Sequence, residues 1–160
     1  MNGKHNDKQN ETKEVYQLNH VFNNTFSDVA TAFWRKYYKN IEMGMGVVTI
    51  AHVRQDDDNK FTFVRRLDGD GGKEEYKVIS YERQPNKIVI NTLVRQENAR
   101  VLAERGEYFA TGKPGEVNYR LSVFKEIKNK LIRCLAFDWG VSRMEDAIST
   151  VTKNRRLMSP

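Results

Sequence analysis

The sequence predicts an α+β protein in which a curved antiparallel sheet of about six to seven strands holds a long C-terminal helix. Three observations predict this fold. Runs with strand-like alternation follow one another between residues 46 and 125, their connections are short, and the apolar period becomes helical from about residue 126. Short connections require antiparallel neighbours, because a parallel return needs a crossover of roughly a dozen residues or more.

The folded part of the chain is predicted to begin with a strand and a short helix. Residues 15–22 predict the strand, and Asn23 and Asn24 end it. Thr25, followed by Asp28 three residues later, resembles the capping box that starts a helix. The apolar residues of the predicted helix, 26–37, recur at three- and four-residue steps and so line one face. They are Phe26, Val29, Ala30, Phe33, Trp34 and Tyr37.

Six further strands are predicted, at residues 46–54, 60–67, 75–83, 87–94, 100–110 and 117–125. Mostly short polar segments, several of them rich in Asp, Asn, Gly or Pro, separate these runs, as expected for turns. The alternation is clearest at residues 117–123, where it places four apolar residues on one face of the sheet. These are Val117, Tyr119, Leu121 and Val123.

The closing helix is predicted from about residue 126 onward. Its apolar stripe consists of Leu131, Leu135, Met144, Ile148 and Val151. Cations follow in the last turns, at Lys153, Arg155 and Arg156, where the helix dipole favours them. We expect Gly140 to break or bend this helix.

Length and composition favour one domain, which we place at residues 15–160 of the 160. Residues 1–14 are mostly polar and cannot form a core, so they predict a disordered tail. The longest nearly apolar runs are far shorter than the roughly 20 residues that cross a bilayer, so any membrane contact is expected to be peripheral. Cys134 is the only cysteine, which excludes an intramolecular disulfide and favours a small core residue.

The net charge of +6 favours anionic partners, which include phospholipid headgroups, nucleic acid and acidic proteins. The basic residues are spread from Lys4 to Arg156 and are not interleaved with aromatics in a binding motif, so no nucleic-acid partner is predicted. His5, His20 and His52 lack the spacing of a zinc site, and no metal or cofactor is predicted.

The sequence contains neither a glycine-rich phosphate loop nor a nucleophile elbow, so we do not expect an enzyme. Glu104 and Tyr108 are four residues apart and share one face of a strand. Such a pair can serve acid–base chemistry or make a hydrogen bond inside the fold, and we favour the second interpretation.

Three parts of the chain resemble the PRELI family. The opening resemblance is the triplet HVF at 20–22 with AFWRKY at 32–37, and the middle one is ISY at 79–81 with Pro85 and ERGEY at 104–108. The closing resemblance consists of Trp139 with Arg143, Met144, Glu145, Asp146 and Ile148, whereas Ala147 and Thr150 do not match the polar residues of the family's closing helix. Their order and spacing agree with the family over roughly residues 15–158.

This resemblance implies a helix-grip domain that lies in the mitochondrial intermembrane space. It would carry an anionic phospholipid, such as phosphatidic acid, between membranes. The resemblance also implies a small cysteine-rich helical protein as partner. The cations that meet the headgroup in the family fall on Lys36 and Arg143, and Arg65 near the end of a strand is a third candidate. Lysine and arginine suit this role because they give charge-assisted hydrogen bonds to phosphate oxygens.

Trp34 and Trp139 complete the candidate ligand site, either as core packing or at the entrance of a cavity. The chain departs from the family at residues 68–75, where an acidic, glycine-rich turn replaces a lid loop. A divergent member with a shortened lid is therefore predicted. The alternative function is an interaction module that does not transfer lipid, and the alternative location is the cytoplasm.

Overall fold

In the part of the chain that the structure describes, eight antiparallel strands form one sheet and two helices lie against it. The computed structural model describes residues 13–38, 41–43, 46–69, 74–126 and 129–158. The elements are β1 (Tyr16–Phe22), α1 (Phe26–Tyr38), β2 (Ile41–Met43), β3 (Gly46–Asp57), β4 (Lys60–Gly69), β5 (Glu74–Gln84), β6 (Lys87–Gln96), β7 (Ala99–Ala110), β8 (Val117–Val123) and α2 (Lys130–Met158). The predicted α+β class, with a short helix after the first strand and a long closing helix, is confirmed.

The order of strands in the sheet is β1-β8-β7-β6-β5-β4-β3-β2. Strands β3 to β8 form the predicted meander, and β1 returns to pair with β8 at the far end. The three-residue strand β2 adds one strand beyond the predicted set, where Ile41 lies opposite Val48 of β3. Strand β2 was missed because three residues are too few to show a period of two.

Helix α1 starts as the sequence predicts. The Asp28 N–H donates to Thr25 Oγ1 at 3.2 Å, and the Val29 N–H donates to the Thr25 carbonyl at 3.1 Å. Val29 and Phe33 are fully buried, which confirms the predicted apolar face for them. This face packs on the sheet.

Contacts of rings show which face of the sheet the helices cover. Phe33 of α1 stacks on Tyr81 at 5.2 Å, and Phe137 of α2 stacks on Tyr119 at 5.4 Å. We call this covered side the inner face. Gly106 lies in its middle, and a Cβ there would be 3.3 Å from Tyr119 Cε1, so the glycine makes room for the Tyr119 ring.

The register lines up the inner face in rows across the strands. One row is entirely apolar or aromatic apart from Gly106 and consists of Leu18, Leu121, Gly106, Ile90, Tyr81 and Phe61. The next row toward the start of α2 contains polar groups and consists of Tyr16, Val123, Glu104, Thr92, Ile79 and Phe63. We call it the polar row.

Helix α2 begins at Lys130, four residues later than predicted. Asn129 is its cap, because the Ile132 N–H donates to Asn129 Oδ1 at 2.9 Å. The helix continues through Gly140, so the predicted break is wrong. A glycine inside a helix costs only about 1 kcal/mol relative to alanine, which the packing of neighbouring turns outweighs.

The predicted apolar stripe of α2 is correct in its second half and wrong in its first. Met144 and Ile148 are 1% and 2% exposed, whereas Leu131 and Leu135 are 70% and 60% exposed. Leu135 and Met144 are nine residues apart, which is about two and a half helical turns. They therefore lie on opposite sides of the helix.

Two predictions concern residues outside the described ones. The disordered tail was predicted for residues 1–14, of which 1–12 are not described. The short connection that replaces the lid was predicted at residues 68–75, of which 70–73 are not described. Strand β4 ends at Gly69 and β5 begins at Glu74, so only the four residues 70–73 connect the two strands.

Candidate functional site

The site predicted at the closing helix is built from Arg143 and Trp139. They are four residues apart, so they are neighbours on one flank of α2, and the guanidinium carbon of Arg143 lies 5.1 Å from the centre of the Trp139 ring. Both side chains are partly exposed. The structure therefore brings together two of the five predicted residues as a cation–π pair.

This flank points away from strand β1. The other flank of α2 carries Glu145, whose Oε1 lies 3.2 Å from His20 Nε2 in β1. By helical geometry Arg143 and Glu145 are about 160° apart. Arg143 is thus on the side of α2 that faces away from β1, and Trp139, being neither fully buried nor fully exposed, lies at a boundary between protein and water.

The other three predicted site residues are placed only by their backbone. Trp34 and Lys36 belong to the last turns of α1, and Arg65 lies in β4, opposite Ile50 and Lys77. Their side chains lie outside what the structure describes. The roles of Lys36 and Arg65 at a phosphate, and of Trp34 in the core or at a cavity entrance, remain predictions.

A second polar centre lies in the polar row, and the sequence pointed to only one of its members, Glu104. Glu104 of β7 forms an ion pair with Arg133 of α2. Arg133 Nη2 donates a hydrogen bond to Glu104 Oε2 at 3.0 Å. Arg133 Nε lies 2.6 Å from Glu104 Oε1, but its N–H does not point at that oxygen. The two side chains are 14% and 19% exposed. Tyr108 of the same strand stacks on Tyr119, with ring centres 4.4 Å apart.

Tyr16 stands at the end of the same row. Its hydroxyl is sealed from solvent and has no hydrogen-bond partner among the described residues, although its ring is partly exposed. Burial, followed by the nearby carboxylate of Glu126, raises the pKa of Tyr16 above its usual value. The ammonium of Lys130 lies 5.2 Å from the centre of the Tyr16 ring. The polar centre thus joins β1, β7 and the first turn of α2.

Arg133 could have been found from the sequence. It lies four residues before Phe137 and eleven before Met144, and so on the buried side of α2. A cation in such a place usually has a buried carboxylate partner, because an unpaired buried charge is costly. The sequence offered no signal that the partner is Glu104.

The far end of α2 is fixed by another ion pair. Arg155 Nη1 donates to both carboxylate oxygens of Asp28, at 2.7 and 2.9 Å. Asp28 is 6% exposed and belongs to the first turn of α1. This contact joins the start of α1 to the end of α2 and closes the two-helix layer.

In the described parts of the chain, no group of three or more His, Cys, Asp or Glu side chains could hold a metal ion. No helix in the same ranges is both long and apolar enough to cross a membrane.

Comparison with known proteins finds similarity of structure only. No protein-family model matches the sequence, and no curated protein matches it. The di-domain ARO/CYC StfQ of the steffimycin biosynthetic pathway is 12% identical, with a TM-score of 0.53 over 94% of this chain and 53% of that chain. The protein of unknown function SA2116 from Staphylococcus aureus is 12% identical, with a TM-score of 0.52 over 86% of this chain and 96% of that chain.

Human StAR-related lipid transfer protein 5 is 8% identical, with a TM-score of 0.48 over 88% of this chain and 76% of that chain. The chain spans about half the length of StfQ. Together with the strand order, the similarities to StfQ and SA2116 establish an α+β helix-grip-like fold. Membership of the PRELI family, which the sequence motifs resemble, remains a prediction.

Proposed function

We propose that this chain binds an anionic phospholipid, such as phosphatidic acid, and carries it between membranes. The observation that carries the proposal is the Arg143–Trp139 pair on the flank of α2 that faces away from β1. A guanidinium can bind two phosphate oxygens at once and keeps its charge at any physiological pH. The adjacent indole suits a boundary where a polar headgroup meets acyl chains.

The fold supports the same proposal. A curved sheet closed by a long helix presents a broad apolar face toward that helix, and partly exposed apolar residues lie beside the packed core. On the side of the molecule where Arg143 and β4 lie, these partly exposed apolar residues include Phe61, Ile90 and Ala147. In this proposal the acyl chains lie on that side, and Lys36 and Arg65 join Arg143 at the phosphate.

The resemblance to the PRELI family supports the rest of the proposal. It favours the mitochondrial intermembrane space as location, with the cytoplasm as the alternative, and a small cysteine-rich helical protein as partner. The proposed protein is a carrier and not an enzyme, and its cargo enters and leaves chemically unchanged.

The test is transfer of labelled phosphatidic acid between donor and acceptor vesicles. Replacing Arg143→Gln removes the cation, and we expect transfer to fall by about tenfold or more, the equivalent of one charge-assisted hydrogen bond. Arg120→Gln is the matched control, because Arg120 makes a similar cation–π contact, 4.8 Å from the Phe109 ring, on the opposite face of the sheet. Equal transfer by both variants would contradict the proposal.

A second candidate function is an interaction module that holds no lipid. The packing of the described inner residues favours it: Phe33, Phe63 and Ile148 are each at most 2% exposed, so little open space adjoins them. The short connection between β4 and β5 agrees with it as well. This candidate predicts a purified chain free of lipid that forms a stoichiometric complex with one protein, as measured by native mass spectrometry.

A further inference from the structure

The first two turns of α2 carry exposed apolar side chains. Leu131, Ile132 and Leu135 are 70%, 40% and 60% exposed. Residues three and four apart are neighbours on a helix surface, so the three side chains form one surface, which we call the apolar patch. The core of the protein does not use it.

The orientation of the apolar patch is fixed by the residues between its members. Arg133 is two residues from both Leu131 and Leu135, which is about 200° around the helix. Its ion pair with Glu104 therefore holds the two leucines outward. The cap by Asn129 keeps the first turn from fraying.

A further exposed apolar residue lies at the same end of the molecule. Val15 is 55% exposed, and its N–H donates to the carbonyl of Val123 at 2.7 Å. The next residue, Tyr16, carries the ammonium of Lys130 over its ring. The start of β1, which pairs with the end of β8, thus lies beside the start of α2.

The charge beside the patch is basic. The described residues between 125 and 133 carry Lys125, Lys130 and Arg133 against the single acid Glu126. The charge of Arg133 is matched by Glu104, which leaves two lysines against one glutamate. Leucines beside lysines at a helix end are typical of a surface that binds anionic lipid headgroups and inserts its apolar side chains between them.

We propose that the apolar patch docks the protein on an anionic membrane surface. This proposal rests on the proposed function, since a carrier must meet the bilayer that gives or takes its cargo. A second copy of the chain is a poorer occupant. Three side chains fall far short of the roughly 800 Å² per partner of a standard interface, and two chains of charge +6 repel each other.

The test is flotation of the full chain with vesicles of phosphatidylcholine and phosphatidylserine. The double variant Leu131→Gln, Leu135→Gln removes apolar surface that is already in water, so the fold is expected to survive. We expect its affinity for the vesicles to fall by about tenfold or more, because burying a leucine side chain in an apolar medium is worth at least a factor of ten. Vesicles of phosphatidylcholine alone are expected to bind the unaltered chain weakly.

The matched control is Leu157→Gln, Met158→Gln at the other end of α2, where the two residues are 76% and 85% exposed. It is expected to bind like the unaltered chain. Equal loss in both double variants, or no loss in the first, overturns the proposal. So does an unaltered chain that is dimeric by sedimentation and becomes monomeric on Leu131→Gln, Leu135→Gln with unchanged vesicle binding.

Lipid extraction from the purified chain separates this proposal from the function it rests on. Bound phospholipid with docking unaffected by the patch contradicts the docking surface and leaves the carrier intact. Patch-dependent docking by a chain that holds no lipid supports the surface and contradicts the carrier.

Discussion

The two halves of α2 have the same helical geometry and different roles. In the second half, Met144 and Ile148 are buried and Arg155 reaches Asp28, so this half closes the fold up to its last turn, where Leu157 and Met158 are exposed. In the first half, Phe137 is the only described residue below 9% exposure, and leucines face water. One half of the helix builds the core, and the other supplies an outer surface to the molecule.

Apolar residues on one helix therefore do not all pack in the core. The first half is fixed by a polar contact, Arg133 with Glu104, and by one aromatic stack, Phe137 on Tyr119. That leaves Leu131, Ile132 and Leu135 of this half in contact with water.

The largest loss of stability is expected in the second half of α2. Met144→Ala removes a fully buried side chain and leaves a cavity, so we expect a loss of about 2–5 kcal/mol in the free energy of unfolding. Leu135→Ala on the exposed side should change it by no more than about 0.5 kcal/mol. Urea denaturation followed by circular dichroism measures both. Similar losses would show that the halves do not differ in this way.

The strands were predictable because their signals are local. Alternation and turn residues placed β4, β6, β7 and β8 within a few residues, and Thr25 marked the start of α1. The start of α2 was missed although Asn129 is a good cap, because the preceding lysine-rich residues continue the helical pattern. Residues far apart in sequence gave no such signal.

The candidate site was predictable only where neighbours on one helix make it. Arg143 and Trp139 meet because they are one turn apart. Glu104 and Arg133 are 29 residues apart and meet only because α2 crosses the polar row. No spacing rule connects a strand to a helix that packs on it, and the exposure of Leu131 and Leu135 likewise depends on that crossing.

A smaller loss of stability is expected when the ion pair between Glu104 and Arg133, in the first half of α2, is removed. Glu104→Gln leaves the mostly buried Arg133 without a counter-charge, and we expect a loss of about 1–3 kcal/mol in the free energy of unfolding. Glu107→Gln is the control on the same strand: Glu107 is equally buried, but its partner Lys87 is 40% exposed and can be solvated. A loss for Glu107→Gln as large as for Glu104→Gln would contradict the assignment.

The smallest change in stability is expected for Tyr16, and only at alkaline pH. Because burial raises its pKa above 10.0, the folded state keeps the hydroxyl proton at a pH where the unfolded chain has begun to lose it. The stabilising contribution is therefore complete below pH 10.0 and is lost as pH rises through the folded pKa. Tyr16→Phe should flatten the alkaline fall in the free energy of unfolding slightly, as measured by urea denaturation across this range. Parallel curves would contradict the role of burial.

The most direct test of the carrier hypothesis is native mass spectrometry of the purified, unaltered chain, followed by lipid extraction. The proposed function predicts one bound phospholipid per chain, with anionic headgroups in excess over their share of the host membranes. A chain that is uniformly free of lipid, and stays so after incubation with phosphatidic acid vesicles, would contradict it.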